Sequence, residues 1–142
     1  EVPNGFDKFS IKLFVTFDGF VRFYTYHPQQ KGPWGDALPM NLVDEFALET
    51  GRWYCLEMMI GANDPAQHNG ELKMWIDGRQ VGHYEGMRFR DTAELRVNTF
   101  THSAYVGGSW VSKQDQQLWD DQIVVATQYI GPLVDNTPSR RP

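Results

Sequence analysis

Six residues near the start of the chain combine types that can bind and process an acidic sugar. They are Ser10, Lys12, Phe14, Arg22, Tyr24 and Tyr26. Lysine and arginine can meet carboxylates, with arginine able to do so in a bidentate fork. A phenylalanine ring packs against the flat face of a pyranose. Phenols both donate and accept, so a pair of tyrosines can move protons. A free phenol titrates near 10, so a tyrosine acting as a base at neutral pH needs positive charge beside it. These residues act together only if they share one side of one element.

The spacing predicts that they do. Ser10 to Phe17 (SIKLFVTF) and Phe20 to His27 (FVRFYTYH) are β-branched and aromatic, with Asp18-Gly19 between them. A two-residue turn would set Phe17 opposite Phe20 and leave both faces of the ribbon mixed. A three-residue loop, Phe17-Asp18-Gly19, with Gly19 left-handed in a glycine bulge, pairs Thr16 with Phe20 instead. Ile11, Leu13 and Val15 then oppose Thr25, Phe23 and Val21 on a nearly continuous apolar face. The other face carries Ser10 opposite Tyr26, Lys12 opposite Tyr24, and Phe14 opposite Arg22. A one-residue slip would turn the apolar set outward, at a cost of about 1.5–3 kcal/mol per buried side chain. The bulged hairpin is therefore expected. The plain alternative for its polar face is a solvated sheet surface with amphipathic tyrosines.

Most of the remaining chain also reads as strand. Gly51 to Ile60, Glu71 to Ile76, Gln80 to Glu85, Glu94 to Phe100 and Trp119 to Ile130 have the composition, and Asn69-Gly70 and Asp77-Gly78 mark turns. Leu42 to Glu49 is the single helical candidate. The pattern predicts an all-β fold, an antiparallel β-sandwich of the jelly-roll, concanavalin A-like kind. One domain is expected over 1–134, with a polar tail over 135–142 (DNTPSRRP).

Composition narrows the partners. The 142 residues hold 13 Lys and Arg against 18 Asp and Glu, a formal charge of −5, which argues against nucleic acid as partner. No apolar run approaches the roughly 18 residues of a membrane span, so no membrane partner is expected. A single cysteine, Cys55, excludes an internal disulfide framework and a multi-cysteine metal site. Cys55 reads as a small packed thiol. His68, His83 and His102 lack zinc spacing, so no metal site is assigned and no cofactor is required. Asp120 and Asp121 could hold a structural calcium ion, with solvated acids as the alternative. Trp53 and Trp75 lie inside predicted strands and are expected in the core. Trp34, in a loop, either stacks on a sugar or caps the core. Arg88 and Arg90 extend a basic groove or are simply solvated.

The chain resembles polysaccharide lyase family 14, the alginate and polyuronate lyases. Ser10-x-Lys12, followed by Tyr24-x-Tyr26, is similar to that family's Ser-x-Arg … Tyr-x-Tyr pattern. Further segments match in order: residues 24–30 (YTYHPQQ), 51–57 (GRWYCLE), 70–78 (GELKMWIDG), 89–91 (FRD), Gly107-Gly108, 119–125 (WDDQIVV) and 129–131 (YIG). The resemblance spans Ser10 to Gly131. It implies a jelly roll that acts on uronate polymers by β-elimination. Tyr24, Tyr26, Lys12 and Ser10 are then the catalytic candidates. Arg22, Phe14, His27 and Trp34 are the substrate-binding ones, although strand alternation turns His27 away from Tyr26 unless the strand ends there. Division of base from acid between the two phenols stays open.

Two departures qualify the resemblance. Lys12 stands where the family has arginine, which keeps the charge and loses the bidentate fork. The family's lysine-bearing segment belongs well upstream of Ser10, and only nine residues precede Ser10. The expectation is a domain lacking its first strands, with an uncovered sheet edge through which copies could associate. Catalysis, sugar binding without catalysis, and a structural or assembly role are the competing functions. Secretion is expected from the substrate class alone.

Overall fold

A computed structural model describes residues 2–104, 111–112 and 114–132. Six strands form two antiparallel sheets of three, and the described residues contain no helix. The first sheet is β1 (Ser10–Val15), β2 (Val21–Tyr26) and β3 (Asp36–Leu38), in that order. The second is β4 (Leu56–Gly61), β5 (Gly70–Ile76) and β6 (Arg79–Met87).

The opening hairpin adopts the bulged register. Ser10 pairs with Tyr26, Lys12 with Tyr24, and Phe14 with Arg22. The Gly19 N–H donates to the Thr16 carbonyl at 2.9 Å, the Thr16 N–H to the Phe20 carbonyl at 2.8 Å, and Gly19 has φ +89°. β2 alternates accordingly: Val21, Phe23 and Thr25 are buried, whereas Arg22, Tyr24 and Tyr26 are half-buried. Asp77 and Gly78 turn β5 into β6 with φ of 52° and 78°, the two positive values of a type I′ hairpin.

Both sheets supply one core, as a sandwich requires. Val21 and Phe23 come from β2, Leu72, Met74 and Ile76 from β5, and Val81 from β6, joined by Met40 and Phe89. The loop after β6 is bound to the one after β4 by Asn63, which is fully buried. Its side-chain Oδ1 accepts from the Phe89 and Arg90 backbone N–H groups at 2.7 and 3.1 Å. Its amide donates to the carbonyls of Asp64, Gln67 and Arg90.

Several expectations are corrected. Leu42 to Glu49 forms no helix: Leu42 and Val43 bend, Ala47 bridges Phe20, and the Leu48 N–H donates to the Gly19 carbonyl at 2.8 Å. β4 starts only at Leu56, and Trp53 is 68% exposed ahead of it instead of lying in the core. Trp75 lies on the outer face of β5, where Tyr129 covers it at a ring separation of 5.0 Å. Glu94 to Phe100 and Trp119 to Ile130 form no strand. A β-prone sequence becomes a strand only beside a partner ladder, and neither segment pairs with any described strand. Apart from the half-buried Leu95, their apolar residues are therefore exposed, Val125 to 73%. The end of the second segment is held by Glu57, whose carboxylate accepts from the Ile130 and Gly131 N–H groups at 2.8 and 3.0 Å. The short strand β3 was not anticipated. Gly107-Gly108 and the tail over 135–142 lie outside the described residues.

Candidate active site

The outer face of the first sheet gathers the catalytic candidates. Register alone brings Ser10, Lys12, Tyr24 and Tyr26 onto one side of two paired strands. The Tyr24 and Tyr26 hydroxyls are 3.4 Å apart and their rings meet edge to face, with centroids 5.4 Å apart. That separation is longer than a strong O–H···O bond. Phe14 supports the Tyr24 ring from the neighbouring strand at 5.8 Å. Lys12 Nζ lies 6.0 Å from the centre of the Tyr24 ring, on an exposed side chain. Gly35 makes this packing possible, since a Cβ there would fall 3.1 Å from Tyr24 Cε1 and 2.6 Å from the Thr25 carbonyl oxygen.

The binding candidates divide. Arg22 shares the face, but Glu45 fills its fork: Nε and one terminal nitrogen each lie 3.2 Å from a Glu45 carboxylate oxygen. The sequence reading missed Glu45 because it lies in the loop taken for a helix. His27 is turned inward and only 5% exposed, so it stands apart from the open face. Strand alternation continues one residue past β2, which is why the ring follows Thr25 into the interior. There His27 Nε2 lies 3.1 Å from Asp36 Oδ2, while Nδ1 is buried without a partner. This contact ties the end of β2 to β3. Trp34, in the intervening loop, is 74% exposed, so it does not cap the core. Ser10 and Tyr26 line a surface cavity of about 220 Å³ together with Pro3, Lys8 and Phe9, none of which was singled out as part of the site.

Charged groups elsewhere are engaged with one another. Arg88 binds the Asp91 carboxylate, and Arg90 donates to the carbonyls of Asn63 and Leu95, so neither arginine extends a basic groove. Glu71, His83 and Glu85 present ligand atoms within 4.8 Å of one another on the second sheet. Lys73 Nζ already sits 2.7 Å from Glu71 Oε1, and its hydrogen bond, with that of His83, holds the Glu71 carboxyl below the usual range against the opposing effect of burial. An ammonium at that distance disfavours a metal cation on the same oxygen. Asp120 pairs with His102 at 3.3 Å, and Asp121 accepts from the Gln122 N–H. The Cys55 thiol is pushed up by burial and by Glu57 and Asp77, the opposite of what a nucleophile needs.

Against family models, residues 6–123 match polysaccharide lyase 14. The chain belongs to the polysaccharide lyase 14 family. That match takes in the whole hairpin, both sheets and every residue lining the cavity except Pro3, and it accounts for a jelly-roll sandwich with a sugar polymer as substrate class. No curated protein and no solved structure matches the chain. With the fork of Arg22 occupied by Glu45, Lys12 stands directly across from Tyr24 with its Nζ 6.0 Å from the ring centre.

Proposed function

We propose that this polysaccharide lyase 14 domain binds and cleaves a uronate-bearing polysaccharide, such as alginate, by β-elimination at the Tyr24–Tyr26 pair. The observation that carries this reading is the juxtaposition of the two hydroxyls at 3.4 Å, with Lys12 directly across from Tyr24.

The chemistry follows from where charge develops. Lys12 pairs with the uronate carboxylate, with the Ser10 hydroxyl as a second donor, and so stabilises negative charge as the carbon 5 proton leaves. One tyrosine, as phenolate, takes that proton. The electron pair forms the carbon 4–carbon 5 double bond as the bond from carbon 4 to its glycosidic oxygen breaks. The second tyrosine gives its proton to the departing oxygen. Afterwards one phenol is protonated and its neighbour is not. A proton passed between hydroxyls this close restores the starting state without a separate relay. Such polymers are too large to enter a cell, so a secreted enzyme is part of the proposal.

The test is incubation of the full chain with alginate, polyglucuronate and polymannuronate while following ultraviolet absorbance of the unsaturated product. Appearance of that product supports the reading, and its absence with all three overturns it. A second reading, a sugar-binding module without catalysis, is favoured by the closure of Arg22 on Glu45. It requires binding to the same polymers with no unsaturated product.

A further inference from the structure

We infer that the cavity beside Ser10 and Tyr26 is a second sugar subsite, in which Lys8 binds the carboxylate of the uronate next to the one being cleaved. The inference rests on the lyase reading and adds a residue and a direction to it.

Three observations carry it. The cavity opens from the reacting face itself, since Ser10 and Tyr26 belong to both. Its volume of about 220 Å³ suits a single sugar ring, and its walls have the right chemistry: Pro3 and Phe9 are flat and apolar, and Lys8 is cationic. The walls are also built in advance. Phe9 packs on the fully buried Phe89 at 5.5 Å, so that side is continuous with the core. Pro3 is buried, and the loop that follows it is closed on itself, with Asn4 Oδ1 accepting from the Phe6 and Asp7 N–H groups at 2.8 and 3.1 Å. Gly5, at φ +91°, lies against Asp91, and the Asp91 N–H donates to its carbonyl at 2.7 Å. A preformed wall lowers the ordering cost of binding.

Placement of the cations gives the direction. Lys12 stands at the Tyr24 end of the phenol pair and Lys8 at the Tyr26 end. A polymer with one carboxylate on every ring therefore meets a cation at each of two neighbouring rings. The polymer runs along β1 and β2, past Tyr26, and into the cavity.

Titration calorimetry with a mannuronate tetrasaccharide, at low salt, tests this. Wild type, Lys8→Gln and Lys8→Arg are compared, alongside the same tetrasaccharide with its carboxylates reduced to alcohols. The expected result is about fivefold weaker binding for Lys8→Gln, recovery in Lys8→Arg, and no difference among the three proteins for the reduced sugar. Equal binding by wild type and Lys8→Gln overturns the subsite and leaves the lyase reading standing. Failure of wild type to bind the acidic tetrasaccharide removes both.

Discussion

The Gly19 N–H donates to the Thr16 carbonyl at 2.9 Å, and that bond decides which side of β2 carries the phenols. It closes the loop with three residues, so Lys12 meets Tyr24 and Ser10 meets Tyr26. A two-residue closure would shift the ladder and break up the apolar face. Gly19→Ala puts a Cβ 3.1 Å from the Leu48 carbonyl oxygen, on a backbone at φ +89°. The expected loss is about 1–2 kcal/mol. Urea unfolding followed by tryptophan fluorescence checks it, and an unchanged midpoint would argue that the bulge does not set the register.

Tyr24→Phe and Tyr26→Phe each keep the edge-to-face ring packing and remove one hydroxyl. Each should lower the rate of unsaturated-product formation by roughly 10²–10⁴-fold while leaving the melting temperature nearly unchanged. Activity retained in both variants would remove the phenols from the reaction.

Glu45 holds Arg22 through two 3.2 Å contacts at a partly exposed site. An ion pair of this kind contributes under about 1 kcal/mol, so Glu45→Gln should cost little stability. It should also release a guanidinium onto the outer side of the sheet, beside the proposed site. Binding of polymannuronate is expected to strengthen a few-fold, with a steeper dependence on salt than in wild type. Weaker binding in this variant would mean that the pair positions the face rather than closing it.

Acid should loosen the wall that Gly5 rests on. The Arg88 hydrogen bond to Asp91, with a further attraction between their charges, holds the Asp91 carboxyl below its ordinary value despite burial acting the other way. A group lowered by folding adds stability that is complete above the unfolded value, near 3.9, and fades as pH falls through the lower folded value. Wild type should therefore lose melting temperature through that acidic window, with a shallower loss in Asp91→Asn. Parallel curves for the two proteins would show that Asp91 contributes nothing there.

Local chemistry made the first hairpin legible. Its register follows from alternation of Ile11, Leu13, Val21 and Phe23 with polar neighbours and from Asp18-Gly19, all within a short stretch of chain. Asp77-Gly78 was readable for the same reason: a turn is specified by the residues that form it. The all-β class followed from such local signals repeated along the chain. Only the tertiary structure decided the rest. Glu45 reaches Arg22, Asp91 reaches Gly5 and Asn63 organises the Phe89 loop across separations at which sequence period carries no information. Trp53, Trp75 and the segments 94–100 and 119–130 carry core-like or strand-like composition, yet burial and pairing depend on a neighbour that their own residues do not supply. Alternation says which way a side chain points. What it then meets is decided when the two sheets stack and the loops between them settle.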